Sequence, residues 1–297
     1  MRLFLEETVL NKKIAFIGSG AMGEAMIAGL LQKGLAHSDN LFTADVHAGR
    51  VEELRERYGT RPFTDNRLAA QDADLVVLSV KPQRLTEVLK ALRGAIAPGA
   101  LVLSIVAGAK IAKISNGLGH EAVVRSMPNT PAQIGQGITV WMPSPAVSEA
   151  QKELARVVIG AFGQQVEVDD ENYLDMATAL SGTGPAYIFL FMEAMIDAGV
   201  HMGFSRQVSE QLVVETLKGS IAYFESRSQR DQAHVATLRN QVTSPGGTTA
   251  QALYYLEKAG FRTAVSRAIW AAYERSIELG KEKTVHIPET NPGGGGE

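Results

Sequence analysis

Cysteine is absent from the 297-residue chain. Disulfides, thiolate metal sites and cysteine nucleophiles are therefore excluded. There is no basic excess either: 29 Lys and Arg face 32 Asp and Glu, a formal net charge of -3. Nothing in that balance points to nucleic acid or to an anionic membrane. The six histidines, His37, His47, His120, His201, His234 and His286, show no metal-ligand spacing. No paired-carboxylate, nucleophile-elbow or H-E-x-x-H pattern occurs, so no metal is expected. Met1 to Thr8 carries one Arg and two Glu and lacks the apolar centre of a signal peptide. The apolar stretch Tyr187 to Ile196 is too short for a bilayer and is interrupted by Glu193. What remains is a soluble, cytoplasmic protein whose chemistry is carried by a bound cofactor.

What is present is apolar and periodic. Hydrophobic residues make up 45% of the chain, enough for a sizeable core. The first half alternates short apolar runs (Ile14–Ile17, Leu41–Asp45, Leu75–Val80, Leu101–Val106) with helical spacing over Ala21–Gly34, Arg50–Tyr58 and Leu85–Leu92. Val123, Val124 and Ile138–Trp141 continue the strand pattern, Glu149–Phe162 reads as a helix, and Val166–Val168 as a last strand. This alternation predicts a doubly wound parallel sheet covered on both faces, an α/β Rossmann domain over 12–170. Beyond it the strand-like runs end. Helical patterns over Pro185–Gly199, Ser205–Phe224, Thr248–Gly260 and Thr263–Leu279 predict an all-helical dimerisation and substrate domain over 171–285. The helix from Pro185 is apolar nearly all round, and burial against a second subunit is the simpler account of it. Residues 1–11 form an N-terminal extension, and the glycine-rich stretch 286–297 is expected to be a disordered tail.

Five segments offer chemistry. Gly18-Ser19-Gly20-Ala21-Met22-Gly23 follows a strand and opens a helix, the context a dinucleotide fingerprint requires. Its first glycine permits the tight turn, its second admits the pyrophosphate, and its third allows close packing; the helix N-terminus stabilises the anion. Asp45 closes the second strand about twenty residues on, where a carboxylate accepts ribose hydroxyls and repels a 2′-phosphate. It is equally a residue type found at strand-end turns, and Arg50 nearby is available to a phosphate. Ser79-Val80-Lys81-Pro82 and Val106-Ala107-Gly108 lie at the carboxyl ends of later strands, where ligands bind in open α/β sheets. Leu180-Ser181-Gly182-Thr183-Gly184-Pro185-Ala186-Tyr187 opens the most apolar helix. Thr243-Ser244-Pro245-Gly246-Gly247-Thr248-Thr249 gathers N–H groups and hydroxyls at a helix start, in form either a carboxylate receptor or a capped helix after a turn.

Taken together, IGSGAMG (17–23), SVKP (79–82), VAG (106–108), MPNTP (127–131), LSGTGPAY (180–187) and SPGGTT (244–249) closely resemble pyrroline-5-carboxylate reductase, in order and spacing, from about Lys12 to Leu279. The resemblance implies NADPH- or NADH-dependent reduction of 1-pyrroline-5-carboxylate to L-proline. It also implies a homodimer through the helical domain, with two chains building one substrate site and dimers assembling further into rings. It assigns Gly18, Ser19, Gly20, Ala21, Met22, Asp45, Asn66, Val80, Lys81, Pro82, Ala107 and Gly108 to the cofactor. Ser244, Gly246, Gly247, Thr248 and Thr249 go to the substrate, with Thr249 the hydrogen-bonding group at the imine nitrogen. Glu171 falls near a substrate-side acid. Asp45 departs from the small hydroxyl residues of NADPH-preferring members. Three other readings stay open: a related imine reductase, separable by a substrate panel; a β-hydroxyacid dehydrogenase-like enzyme, whose lysine has no counterpart around Tyr187–Phe189; and a nucleotide-sensing protein without turnover.

Overall fold

A computed structural model describes residues 10–281. The expectations for the extension, bar its last two residues, and for the tail at 286–297 lie outside the described residues. The strands are β1 Ile14–Ile17, β2 Leu41–Ala44, β3 Arg61–Phe63, β4 Leu75–Leu78, β5 Leu101–Ser104, β6 Val123–Met127, β7 Gly137–Pro143 and β8 Gly163–Glu167. They form one sheet in the order β3-β2-β1-β4-β5-β6-β7-β8. All neighbours pair in parallel except β6 and β7. That exception departs from the fully parallel expectation. The link from Met127 to Gly137 holds only a 3-10 turn, Thr130–Ile134, too short for the crossover a parallel pair needs.

The helices of this half are α1 Ala21–Gln32, α2 Ala48–Tyr58, α3 Asn66–Ala70, α4 Leu85–Leu92, α5 Ile111–Leu118 and α6 Glu149–Gly160. They divide between the two faces of the sheet, which is why β1 and β4 are apolar at every position. Ile14 and Phe16 point into one core with Met26 and Leu30 of α1 and Val158 and Ile159 of α6. Ala15 and Ile17 point into the other, with Leu85, Leu89 and Leu92 of α4 and Ile114 and Leu118 of α5.

From Asn172 onward every described element is helical: α7 Asn172–Ala177, α8 Gly184–His201, α9 Arg206–Asp231, α10 Val235–Gln241, α11 Thr248–Lys258 and α12 Phe261–Gly280. A π turn, Thr178–Gly182, joins α7 to α8, so Asn172–His201 is one continuous helical run. Among the described residues it is the run long and apolar enough to cross a bilayer. The expectation of a stretch too short to span, Tyr187–Ile196, is thus corrected: the π turn fuses what the motif pattern separates.

This half has almost no core of its own. Large apolar residues buried in it are few, chiefly Leu174, Val213 and Leu238, while Phe189, Leu190, Tyr255 and Trp270 are each more than 60% exposed. Among the described residues, all but four of the exposed large hydrophobics lie here; the exceptions are Val46, Leu68, Ile134 and Val166.

The two halves are tied by a buried charged cluster. Arg125 on β6, only 3% exposed, donates to Glu171 Oε1 at 2.9 Å and to Asp175 Oδ1 at 2.8 Å. Ser276 on α12 donates to the same Asp175 oxygen, and the Ile111 N–H that opens α5 donates to Glu171. Removing the arginine would strand a buried carboxylate. Arg125→Ala is expected to cost about 3–5 kcal/mol, with Arg125→Ala/Asp175→Ala recovering part of it. Urea unfolding at fixed protein concentration checks this; equal losses in single and double variants would contradict it.

Candidate active site

The sheet changes winding direction at β1, whose neighbours are β2 on one side and β4 on the other. The carboxyl ends of these three strands must leave the sheet in diverging directions, and a crevice opens between them. Gly18 makes the first turn with φ +87, a conformation L side chains avoid. A Cβ there would also lie 2.7 Å from Val80 Cγ1 and 2.9 Å from the Ser79 carbonyl. Ser79 Oγ donates to the Gly18 and Ile17 carbonyls, fastening the end of β4 to the turn. Gly23 is held close for the same reason: its Cβ would meet the Gly18 carbonyl at 3.0 Å. Gly20 is different, because a Cβ there would meet no protein atom within 4 Å. No packing in the protein demands a glycine at that position, and the open space suits the close approach of a phosphate. No side chain caps the start of α1, so its first N–H groups remain free for an anion.

The crevice is a cleft of about 520 Å³ lined by Gly18, Gly20, Asp45, Asn66, Val80 and Lys81, together with Val46, His47, Ser79, Arg84, Glu87, Val88 and Ala91. The first six are positions expected from the sequence. Arg84, Glu87, Val88 and Ala91 recur at the spacing of one helical face; that stripe was the available signal for them. Ser19 is fully buried beneath the cleft. Its N–H donates to Asp45 Oδ2 at 3.0 Å, and the His47 N–H donates to Asp45 Oδ1 at 3.0 Å. Asp45 therefore both faces the cleft and pins the glycine turn. Ala21 and Met22 begin α1, and Pro82 begins a 3-10 turn beside the cleft.

Several expected residues lie elsewhere. Ala107 and Gly108 are not among the cleft-lining residues. Gly108 has φ +70 and is closely approached by α12: a Cβ would meet Leu279 Cβ at 3.1 Å and the Gly280 nitrogen at 3.2 Å. The backbone approach that its glycine permits is thus made by the protein itself. Glu171 is engaged by Arg125 and the Ile111 N–H in the cluster between the halves and is not among the cleft-lining residues. Ser244, Gly246, Gly247, Thr248 and Thr249 line no part of the cleft, whose walls come entirely from the sheet half. They form a turn into α11, where Gly246 has φ +70 and the Gly247 N–H donates to the Ser244 carbonyl at 3.1 Å. No side chain caps α11. The LSGTG segment runs from the π turn into the start of α8, and Gly182 lets it seat against Met127 of the MPNTP segment: a Cβ there would lie 2.7 Å from Met127 Cε. These two sequence motifs are thereby brought together beside the carboxyl end of β6.

The two glycines of the turn make opposite predictions. Gly18→Ala meets both a forbidden φ and backbone atoms, and should cost about 1–3 kcal/mol of stability. Gly20→Ala should cost less than about 1 kcal/mol and still weaken dinucleotide binding. Thermal melts alongside nucleotide fluorescence titrations check the contrast. A Gly20→Ala variant that binds nucleotide like the wild type would remove the cleft from consideration.

Comparison with known proteins agrees with this geometry. A family model described as "Pyrroline-5-carboxylate reductase dimerisation" matches residues 171–279, and one described as "NADP oxidoreductase coenzyme F420-dependent" matches residues 13–108. The pyrroline-5-carboxylate reductase of Synechocystis is 38% identical over 92% of this chain and all of its own length. That of Pseudomonas aeruginosa is 39% identical over 91% of this chain and 97% of its own. The crystal structure of Plasmodium falciparum pyrroline carboxylate reductase with NADP bound superposes with a TM-score of 0.83 at 33% identity, covering 92% of this chain and all of that one. A glycine-turned cleft in the sheet half, a coreless helical half that matches a dimerisation domain, and relatives alike over nearly their full length lead to one conclusion: the chain belongs to the pyrroline-5-carboxylate reductase family.

Proposed function

We propose that the protein reduces 1-pyrroline-5-carboxylate to L-proline, the last step of proline biosynthesis, with NADPH or NADH as hydride donor. The observation that carries this reading is the cleft at the winding reversal, built around the Gly18–Gly20 turn in a chain of this family. The bound dinucleotide supplies a hydride to the imine carbon, and the imine nitrogen takes a proton. The Gly18–Met22 turn and the start of α1 receive the pyrophosphate; Asp45, Asn66, Val80, Lys81 and Pro82 flank the rest of the cofactor.

The substrate carboxylate is assigned to the uncapped N–H groups at the start of α11, between Ser244 and Thr249. Those groups lie outside the cleft of their own chain. We therefore assign each complete site to two subunits, the cleft from one and the Ser244–Thr249 turn from its partner. The exposed apolar faces of α8, α9, α11 and α12 are the surface a second copy would cover. On this reading the protein is a cytoplasmic homodimer able to build larger rings, with no nucleic acid or membrane partner, and the Asn172–His201 run packs on protein instead of lipid.

Thr249 is the group assigned to the imine nitrogen. That nitrogen gains basicity as the hydride arrives, so a hydroxyl aimed at it stabilises the transition state more than the ground state. Thr249→Ala should lower kcat/KM by roughly 10- to 1000-fold, and Thr249→Ser should keep most activity. Oxidation of NADH or NADPH with 1-pyrroline-5-carboxylate, in the presence of EDTA, tests the assignment. No proline at any pH defeats the function. Full activity in Thr249→Ala with loss in Thr248→Ala moves the role to Thr248. Light scattering should find a dimer or larger assembly; an active, folded monomer would contradict the shared site.

A further inference from the structure

The ribose end of the cleft carries a charge arrangement that goes beyond the family reading, and its meaning rests on the cleft being a dinucleotide site. Ser19 stands between two opposite charges. Asp45 accepts from its N–H, and Arg50 Nε donates to its carbonyl at 2.7 Å. Each terminal nitrogen of Arg50 is also engaged through one of its N–H groups. The guanidinium pairs with Glu24 on α1 through one terminal nitrogen and with Glu53 Oε2, at 2.7 Å, through the other. Glu24 is the hub of this network. Besides Arg50 it pairs with Arg57 and accepts from the Tyr58 hydroxyl at 2.9 Å. Burial alone would raise the Glu24 carboxyl, but hydrogen bonds from Arg50, Tyr58 and Arg57 and the charge of Arg50 hold it below its ordinary value.

Sequence position alone makes Arg50 available to a phosphate. In the fold, all three guanidinium nitrogens donate to protein oxygens, and Arg50 is not among the residues that line the cleft. The other cations at the cleft, Lys81 and Arg84, leave β4, on the far side of β1 from the Asp45 strand, and Arg84 is paired with Glu87. At the end of β2 the carboxylate thus stands on the cleft wall while the nearest arginine is held under the turn. An unphosphorylated adenosine ribose offers two hydroxyls to such a carboxylate, whereas a 2′-phosphate meets repulsion with no cation released to offset it.

We propose that this protein is an NADH-selective member of its family, and that selectivity is set by two residues acting together: Asp45, which receives the ribose, and Glu24, which withholds Arg50 from a 2′-phosphate. Glu24 touches no part of the cleft and acts through Arg50 as a positioning residue.

The test is direct binding, measured by fluorescence titration of NADH and NADPH and by calorimetry with 5′-AMP and 2′,5′-ADP as minimal probes. The wild type should bind NADH about ten-fold or more tightly than NADPH. Asp45→Ser should narrow that ratio. Glu24→Ala alone should leave it nearly unchanged, because Asp45 still repels the phosphate. Asp45→Ser/Glu24→Ala should favour NADPH, and adding Arg50→Ala should cancel the gain. That cancellation is a readout a merely structural role for Glu24 would not give. Equal wild-type affinity for the two cofactors overturns the inference while leaving the enzymatic assignment intact. Binding of neither overturns both. A double variant no better for 2′,5′-ADP than Asp45→Ser removes Glu24 from the account.

Discussion

The helical half cannot satisfy its own hydrophobic surface, and the rest of the structure is organised around that constraint. A domain of this length ordinarily buries a core. Here α8 to α12 leave Phe189, Leu190, Tyr255 and Trp270 in water while burying little. An apolar surface of that extent belongs against another chain. With a second chain covering that surface, the proposed division of the site between subunits would need little more: the turn before α11 has only to be presented to the partner's cleft.

The sheet half solves the opposite problem. Its core is complete within one chain, so it can hold a glycine turn in a conformation no other residue tolerates. Ser79, Val80 and Asp45 each fix that turn by a separate contact. The Arg125 cluster and the packing of Gly108 against Leu279 and Gly280 then set how the helical half leaves the sheet. A buried ion cluster contributes little net stability but enforces a single geometry through its hydrogen bonds. Holding one domain at a defined attitude to the other is a role that suits it here.

The fold was legible where burial dictates pattern. β1 and β4 are apolar at every position, and β5 at all but its closing Ser104, because both faces are covered, and α4 kept the helical spacing of its buried face. What escaped was short or on an edge. β3 is three residues, Arg61, Pro62 and Phe63, at the sheet margin, where proline is tolerated. α5 and α10 are brief, with eight and seven residues, and the antiparallel placement of β7 depends on a connection length, not on composition. At the cleft, the glycine turn and the strand-end acid were legible as a motif, and Gly18, Gly20 and Asp45 line one crevice. The neighbours of Gly108 and Glu171 were not legible, because a positive φ and a carboxylate near a boundary do not say which partner they meet. The partners of Arg125 and Arg50 are distant in sequence, and only tertiary structure brings them together.

The division of the site between subunits can be tested by complementation. A chain with its cleft disabled by Gly20→Asp and a chain with Thr249→Ala are each expected to be nearly inactive. Co-expressed and isolated through two different affinity tags, they would form mixed dimers. If the cleft of one subunit works with the turn of its partner, every mixed dimer holds one intact site and one doubly damaged site. Proline formation should then return to about half the wild-type rate in the doubly tagged fraction, as two-fold assembly requires. If each site lies within a single chain, every site in the mixed dimer carries one lesion. Activity no higher than that of the parents would contradict the account.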